Sequence, residues 1–344
     1  MRQMSSILRT ATRKISEPFN IFCAGTHERF ESGLALTGHN FYAYKAGNIK
    51  GWNTNYAPVP DNYILLDERL GENQIPLEID FDLVLSQNKF GQFQQLQPIA
   101  QKFNVPLVSL EHTLPMPQWS LEQRQSLVNM RGKINVFISE YSINEWGFEK
   151  TDDVRVIKHC VDSELFKPLI PTIVIEDDNF TNIENRENRI LSVVNDWINR
   201  DIFCGFKIWQ RVTQGLPVFP VGDTQGLSRP APSMDELVDC YANSRIFINT
   251  STISPIPTAL LEGMSAGCAC VSTATCMIPE VIEHGVNGFM TNDEKEMRGY
   301  LEQLMNDEKL ASEMGKAARQ TILDDFSVER FTSEWNEVFN EVIK

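Results

Sequence analysis

The sequence contains no apolar run long enough to cross a membrane. Spanning a bilayer with a helix needs roughly 18–20 consecutive apolar residues, and the apolar stretches here are much shorter. It also lacks a C-x-x-C pair, because its seven cysteines are scattered among apolar neighbours. This distribution argues against a disulfide framework and a zinc site, and it indicates a reducing compartment. The composition therefore predicts a soluble, cytoplasmic protein.

Positive charge is scarce as well. The 344 residues include 31 Lys+Arg and 46 Asp+Glu, a formal net charge of −15. Because non-specific nucleic-acid binding needs clustered Lys and Arg, this balance disfavours a broad nucleic-acid surface. The one basic stretch without an acid is residues 1–14. We interpret it as a solvated tail, with a transit peptide or a weak contact with a membrane surface as the alternatives.

Several motifs that bind metals or nucleotides are missing. Neither G-x-G-x-x-G nor a P-loop occurs, which weakens dehydrogenase and NTPase interpretations. No His-x-His, H-E-x-x-H or calcium-loop spacing is present. Asp80-Phe81-Asp82 opens an apolar strand, so its carboxylates are expected at the strand's amino end. We therefore predict no catalytic metal and no cofactor.

Short apolar segments alternate with helix-like segments along the first half of the chain. Helical patterns include Phe90–Phe103 and Leu121–Met130. Six β-branched or aromatic-rich segments predict strands at Phe19–Ala24, His39–Tyr44, Phe81–Ser86, Pro106–Leu110, Ile134–Ser139 and Val154–Ile157. This alternation predicts a parallel sheet that is covered on both faces.

The second half repeats the pattern after a polar stretch, residues 166–188. The predicted elements are strands at Ile190–Val194, Pro217–Val221, Arg245–Asn249 and Cys268–Ser272, and helices at Phe206–Thr213, Met234–Ala242 and Thr258–Ala266. The chain then ends in an amphipathic helix, Phe326–Ile343. We therefore predict an α/β protein with two Rossmann-like, doubly wound domains that face an inter-domain cleft, which is where such folds bind ligands.

Residues 250–283 combine a loop of small polar residues with the start of a helix. The loop follows the strand that ends at Asn249, and the helix carries Glu262 on its second turn. Amides from Thr258 onward then form a helix N-terminus that suits a phosphate. Glu262 is placed to accept hydrogen bonds from a ribose, although a solvated acid on a helix is the alternative.

This segment resembles the nucleotide-sugar-binding region of family-4 retaining glycosyltransferases of the GT-B fold. The family pattern is Glu-x7-Glu, a small-residue turn and a P-E-x-I…G-x-x-G tail, and the matches are Glu262, Ser265-Ala266-Gly267, Pro279-Glu280, Gly285 and Gly288. Val154–Pro168 is similar to the family's interdomain segment, and His27–Tyr44 resembles its first helix and G-H strand. The resemblance covers nearly the whole chain and implies the GT-B fold.

The resemblance implies a donor site in the second domain. Arg200 matches an arginine that holds the donor phosphates, and Thr258 and Glu262 lie at the matched helix. Two positions depart from the family: Ser254 replaces the first glutamate near the donor sugar, and Cys204 replaces the lysine before Gly205. Lys207, three residues later, is the candidate substitute.

In the first domain, His112 follows a predicted strand and matches a family histidine near the donor sugar. We predict it as catalytic together with Arg200. The loop at residues 25–29 takes the place of the family's acceptor loop, so His27, Glu28 and Arg29 are acceptor-side candidates, with a capping cluster as the alternative. The stretch Gln87-Asn88-Lys89 is a further acceptor-side candidate, with a plain helix start equally open, and Glu111 is expected to be structural.

The resemblance implies transfer of a hexosyl or pentosyl group from a nucleoside diphosphate sugar, with retention of configuration. The acceptor is left open among a glycan, a lipid-linked glycan, a protein and a modified nucleobase. Two alternatives remain: a non-catalytic GT-B-like binding protein, favoured by the missing glutamate and lysine, and a nucleotide-sugar isomerase or phosphorylase. The expected organisation is an acceptor-binding domain 1–165, a linker or insertion 166–188, a nucleotide-sugar-binding domain 189–325 and a helix 326–344 that crosses back to the first domain.

Overall fold

The computed structural model describes residues 14, 17–47, 49, 51–76, 78–169, 172–176, 179–183 and 186–344. The chain divides into two compact units: residues up to Cys160 together with Val328–Lys344, and Val161–Ser327. Of the basic stretch 1–14 only Lys14 is described, so the predicted tail or membrane-surface contact lies outside the described residues. None of the helices that the structure describes combines the length and apolar composition needed to cross a bilayer.

The first unit is built on a parallel sheet of seven described strands in the order β3-β2-β1-β4-β5-β6-β7. The strands are β1 (Asn20–Cys23), β2 (Asn40–Ala43), β3 (Tyr63–Leu65), β4 (Leu83–Ser86), β5 (Leu107–Glu111), β6 (Ile134–Phe137) and β7 (Val154–Val156). Every residue of β1, β4, β5 and β6 is buried, as expected for a parallel sheet covered on both faces. The strand order reverses between β1 and β4, and folds of this kind bind ligands beyond the carboxyl ends of the strands at such a reversal.

Within the described residues, four helices of this unit each follow one of its strands. They are α1 (Glu28–Ala35), α2 (Gln92–Phe103), α3 (Leu121–Val128) and α4 (Glu140–Trp146), with a 3₁₀ segment at Glu68–Gln74. Ser120 and Ser139 begin α3 and α4 by accepting hydrogen bonds from backbone amides of the first turn. Phe22, Phe81 and Phe103 form an aromatic cluster in the core between the sheet and α2.

The second unit contains a smaller parallel sheet in the order β11-β10-β12-β13-β14. Its strands are β10 (Glu187–Val193), β11 (Val218–Val221), β12 (Ser244–Asn249), β13 (Ala269–Ser272) and β14 (Phe289–Met290), and its helices are α5 (Asp201–Cys204), α6 (Phe206–Val212), α7 (Met234–Asn243), α8 (Thr258–Ser265), α9 (Glu294–Asn306) and α10 (Glu308–Asp325). The strand order reverses between β10 and β12, so the loops after these two strands flank the expected crevice.

The polar stretch 166–188 contains a separate two-stranded hairpin. Strands β8 (Thr172–Glu176) and β9 (Asn179–Ile183) pair antiparallel. Asp177 and Asp178, between them, lie outside the described residues. The sequence pattern predicts a linker or insertion here and no strands. The strand β3 and the helix α4 were also not predicted, because each is short and weakly patterned.

The final helix, α11 (Val328–Ile343), belongs to the first unit and packs against α1. Phe339 contacts the rings of His39 and Phe41. Gly33 on α1 allows the close approach, because a Cβ there would lie 2.9 Å from the sulfur of Cys160 and 3.5 Å from the ring of Phe331. Polar contacts extend the attachment: Arg155 forms an ion pair with Glu341, Lys133 donates to the carbonyl of Val342, and Arg330 donates to the carbonyls of Lys158 and His159.

We expect Trp335→Ala to lower the free energy of unfolding by about 3–5 kcal/mol, since truncation of a buried tryptophan leaves a cavity. Trp335 is fully buried between Phe331 and Phe339. Urea unfolding followed by circular dichroism measures the change. Ser333→Ala, at an exposed position of the same helix, is the control and should stay within about 0.5 kcal/mol of the wild type. Equal effects of the two substitutions would show that α11 is not part of the core.

Candidate functional site

Polar side chains gather at the carboxyl edge of the first sheet, where the strand order reverses. Thr26 follows β1, Gln87 and Asn88 follow β4, and His112 follows β5. Glu31, on the first helix, contacts the first two of these segments. The edge predicted from the strand pattern is therefore where these residues lie.

Glu31 is the centre of a buried hydrogen-bond network. Its side chain is 1% exposed. One carboxylate oxygen accepts from the Thr26 N–H at 2.7 Å and the Thr26 hydroxyl at 3.1 Å, and the other accepts from the Tyr63 hydroxyl at 2.9 Å and the Gln87 amide at 3.0 Å. Burial raises the pKa of Glu31, an effect that these hydrogen bonds oppose. With four donors on two oxygens, Glu31 organises the loop after β1.

Both ring nitrogens of His112 have partners within the first unit. Nε2 lies 3.3 Å from Gln87 Oε1, and Nδ1 lies 3.4 Å from His159 Nε2. The Phe30 ring packs edge-on against the imidazole at a centroid distance of 4.3 Å. Burial, followed by the nearby His159 and His27, lowers the pKa of His112 well below its usual value. His112 is therefore neutral at neutral pH.

The acceptor-side candidates are only partly brought together. His27 and Glu28 line a small pocket of about 60 Å³ with Lys45, Trp52 and Tyr63, whereas Arg29 and Asn88 do not line it. Glu28 is 3% exposed and accepts a hydrogen bond from the backbone amide of Asn53 at 2.8 Å.

The capping interpretation of the 25–29 loop is not supported at the start of α1. His27 occupies the position before the helix without a side-chain hydrogen bond to its described first turn, and its ring stacks parallel to that of Tyr56. Asn88 is half-buried, and within the described residues its buried Oδ1 has no hydrogen-bond partner.

Lys89 and Glu111 serve the core rather than a ligand. The Lys89 amide donates to Glu111, and its ammonium group donates to Ser109 and the carbonyl of Met130. Burial lowers the pKa of Lys89 to about 8. Glu111 is thus held within the first unit, in line with its expected structural role, and the Lys89 ammonium group is engaged by Ser109 and the Met130 carbonyl.

In the second unit the loops after β10 and β12 are joined by short hydrogen bonds. Thr252 donates from its amide to the Phe203 carbonyl at 2.9 Å and from its hydroxyl to the Ile202 carbonyl at 2.6 Å. The Thr250 hydroxyl donates to the Cys204 carbonyl at 2.8 Å. The loop that carries Arg200 is therefore held directly against the loop that leads to α8.

The cationic candidates lie on this joined surface. Arg200 is exposed and donates to the Asn195 carbonyl at 3.2 Å. Lys207 is also exposed, and its ammonium group lies 3.5 Å from a carboxylate oxygen of Asp201. Cys204, at the position of the family's lysine, is buried, and burial raises the pKa of its thiol.

Glu262 is not a solvated surface acid. It is 1% exposed and accepts a hydrogen bond from the Tyr241 hydroxyl at 2.7 Å. Thr258 begins α8 after Pro257, with no side-chain cap among the described residues, and Ser254 is half-buried in the preceding loop. The structure therefore places a buried, oriented carboxylate one turn inside a helix whose N-terminus is not capped by a side chain.

The Asp-x-Asp sequence lies at the amino end of its strand, as predicted. Asp82 precedes β4 and accepts a hydrogen bond from the Asn20 amide at 2.7 Å. In the part of the chain that the structure describes, no group of three or more His, Cys, Asp and Glu side chains is arranged to hold a metal ion.

Sequence reasoning missed Glu31 as a site residue and treated Gln87 as an acceptor contact. The position of Gln87 directly after a predicted strand was a usable signal. The sequence carried no such signal for Glu31, because an acid on the first turn of an amphipathic helix is ordinarily solvated.

Gly205→Ala is expected to destabilise the protein by about 2–5 kcal/mol. Gly205 has a φ of +66°, and a Cβ there would lie 2.0 Å from the Thr250 carbonyl oxygen, so left-handed strain and overpacking combine. Gly215→Ala is the matched control, since its φ is +77° but nothing lies within 4 Å of the added Cβ. The control should cost only about 1–2 kcal/mol in thermal or urea unfolding. Equal losses would indicate that the two loops are not in tight contact.

Comparison with solved structures identifies the fold. Alr3699/HepE of Anabaena, solved in complex with UDP, superposes with a TM-score of 0.69 at 15% identity, covering 94% of this chain and 100% of that one. Sucrose-phosphate synthase (tll1590) from Thermosynechococcus elongatus gives a TM-score of 0.69 at 12% identity, covering 94% and 99%. The chain has the GT-B fold, and this prediction is confirmed.

Sequence comparison covers the second unit. Residues 229–321 match the profile of the family described as glycosyl transferases group 1, a segment that includes Ser254, Thr258 and Glu262. N-acetyl-alpha-D-glucosaminyl L-malate synthase of Bacillus anthracis is 30% identical over 112 residues, which is 32% of this chain and 29% of that protein. Sulfoquinovosyl transferase SQD2 of Arabidopsis thaliana is 29% identical over 116 residues, 32% and 21% of the two chains. The matched segment thus spans less than a third of either relative.

Proposed function

We propose that this protein transfers a sugar from a nucleoside diphosphate sugar to an acceptor. The observation that carries the proposal is the buried Glu262 carboxylate, oriented by Tyr241 one turn inside α8. It lies within the segment that matches the glycosyl transferases group 1 profile. Because UDP or UDP-glucose is bound in structures of HepE, a uridine diphosphate sugar is the donor that we propose first.

The second unit supplies charges suited to a diphosphate. Arg200 is held by one backbone carbonyl and can turn its planar guanidinium toward two phosphate oxygens. The amides at the start of α8, from Thr258 onward, add the positive end of a helix dipole. Lys207 contributes less because Asp201 offsets its charge. Ser254 offers a hydroxyl toward the sugar, where the resembling family has a glutamate.

The chemistry we propose is electrostatic. Arg200 and the α8 amides stabilise the charge that develops on the departing diphosphate, while binding places the acceptor hydroxyl near the anomeric carbon. His112 is neutral and would act as a hydrogen-bond donor to a sugar hydroxyl. Retention of configuration, assignment to family 4, and the choice between hexosyl and pentosyl transfer rest on the sequence resemblance alone.

For the acceptor we propose a hydroxyl-rich group. The small pocket in the first unit is lined by aromatic and acidic residues, among them Trp52, Tyr63 and Glu28, residue types that suit a hydroxyl-bearing group of a sugar. A glycan, a lipid-linked glycan, a protein and a modified nucleobase that carries a hydroxyl can each present such a group, so the acceptor stays open among these classes.

A non-catalytic binding protein is the second candidate, favoured by Ser254 and Cys204 in place of the family's glutamate and lysine. Release of nucleoside diphosphate from a panel of donors, with and without sugar acceptors, separates the two. Binding of the nucleotide without turnover of any donor would support the second candidate.

Glu262→Gln is expected to weaken UDP binding about 10- to 100-fold in isothermal titration calorimetry, the value of one or two charge-assisted hydrogen bonds to ribose. Glu236→Gln, which removes the same charge from an exposed position on α7, is the control and should leave the affinity unchanged. An unaltered dissociation constant in folded Glu262→Gln would rule out the ribose contact.

We also expect transfer without a divalent metal, because Arg200 and the helix amides supply positive charge to the diphosphate. Chelation with EDTA should leave the rate of UDP release unchanged. A loss of activity that manganese restores would contradict this expectation.

A further inference from the structure

We infer that Glu31 and Gln87 are positioning residues that hold His112 as the tautomer protonated on Nε2. Neither residue contacts a substrate in this scheme. The tautomer assignment depends only on groups in the first unit, whereas its importance for catalysis rests on the proposed sugar transfer.

The first step is the orientation of the Gln87 side-chain amide. Its nitrogen lies 3.1 Å from the Ala24 carbonyl oxygen and 3.0 Å from a carboxylate oxygen of Glu31. A backbone carbonyl can only accept a hydrogen bond, so this end of the amide must be the NH₂ group. The flipped amide would set its oxygen against the Ala24 oxygen. Gln87 is fully buried, which makes such an oxygen–oxygen contact costly.

The second step is the proton on His112. With both Gln87 N–H groups engaged, Gln87 Oε1 faces the Thr26 hydroxyl at 3.4 Å and His112 Nε2 at 3.3 Å. The amide oxygen accepts only, so His112 Nε2 must carry hydrogen. His112 Nδ1 then presents its lone pair to His159 Nε2, 3.4 Å away, which acts as the donor.

The surroundings of His112 and His159 keep both imidazole rings neutral. Only a neutral ring has a tautomer to assign. Burial is the largest cause for each ring, and it lowers the pKa of His159 to about 4. The charged or titratable groups that act on this pair are His27 and Arg330, and both oppose protonation. A doubly protonated His112 would also direct an N–H at His159, which would then have to reverse its own tautomer.

Helix α1 supplies both constraints on the histidine. Glu31 anchors Gln87, while the preceding residue, Phe30, packs its ring edge-on against His112 and also contacts His159. Because Thr26 and Tyr63 hold Glu31 in turn, its carboxylate cannot rotate without breaking several hydrogen bonds at once.

This arrangement defines what His112 can do. Its Nε2 donates a hydrogen bond and cannot act as a base there. At 3.3 Å the bond to Gln87 is longer than the usual 2.7–3.2 Å range, so the same N–H can be shared with a substrate oxygen. Gln87 thereby holds His112 as a neutral hydrogen-bond donor before a substrate binds. His112 then needs no change of tautomer when a sugar hydroxyl reaches Nε2.

Nitrogen NMR of protein labelled with ¹⁵N-histidine tests the assignment directly. Two-bond correlations from the ring protons distinguish a protonated from a bare ring nitrogen, and His112→Gln identifies the His112 signals among the five histidines. Near neutral pH we expect the wild type to show His112 protonated on Nε2 and bare on Nδ1. A wild-type spectrum with His112 protonated on Nδ1, or doubly protonated, would overturn the inference without need of any variant.

Two variants test which neighbour sets the tautomer. Gln87→Met removes the acceptor, and His112 should become a mixture of tautomers. His159→Phe removes the partner of Nδ1, and the Nε2–H form should persist because Gln87 still requires a donor. Gln101→Met, at an exposed position of α2, is the control and should leave the spectrum unchanged. An unchanged His112 spectrum in Gln87→Met would overturn the role of Gln87.

The catalytic consequence has a separate readout. If the protein transfers sugars, Gln87→Met should lower kcat about 10- to 100-fold with little change in donor KM, since a preset donor acts mainly on the transition state. UDP affinity should be unaffected, because the proposed donor residues belong to the second unit. If no donor is turned over while the tautomer results hold, the proposed function fails and the positioning inference stands.

Discussion

All strands of the two large sheets run in the same direction within their sheet, and this constraint decides where polar residues can be placed. A parallel strand is buried on both faces, so most of its side chains are apolar and ligand-binding groups are placed mainly in the loops at its ends. The strand order reverses once in each unit, between β1 and β4 and between β10 and β12. At these two positions adjacent loops separate, and the candidate residues of each unit gather there.

Each unit also contains a buried glutamate side chain. Glu31 and Glu262 are each 1% exposed, an environment that penalises an isolated carboxylate by several kcal/mol. Glu31 meets the penalty with four hydrogen bonds. Glu262 is held by a tyrosine hydroxyl on the neighbouring helix α7. Such groups are oriented before any ligand arrives, which is the condition for electrostatic stabilisation of a reacting group.

The structure shows the surroundings of Cys204, one of the two positions at which this chain departs from the resembling family. Cys204 is buried at the end of α5, where its carbonyl accepts from Thr250, so this position no longer offers a charge to a ligand. The exposed cationic candidates nearby are Arg200, just before α5, and Lys207, on α6, and the latter is paired with Asp201. A donor bound here would therefore depend on one arginine and the helix amides more than on a lysine.

Strand and helix positions were largely readable from the sequence. Predicted strands such as Phe19–Ala24 and Arg245–Asn249 appear as β1 and β12, with ends that differ by one or two residues. Apolar runs bounded by Gly, Asn and Pro depend on local chain chemistry, which a single sequence contains. The strand β3 was not predicted because three residues are too few to show a pattern, and the hairpin at 172–183 was not predicted because it lies in a stretch interpreted as a linker or insertion.

The candidate site was likewise only partly predictable from the sequence. The sequence singled out His112, Arg200 and Glu262 because each matches a position of the family that the chain resembles. It did not reveal that Glu31 is buried, that Glu28 accepts from Asn53, or that Lys89 serves the core. Whether an acid or an amide is solvated depends on residues distant in sequence, such as Tyr63 for Glu31 and Ala24 for Gln87. The sequence by itself determined which edge of each sheet carries polar groups. Only the tertiary structure decided which of those groups face one another, because hydrogen-bond partners are chosen by distance in space rather than by order along the chain.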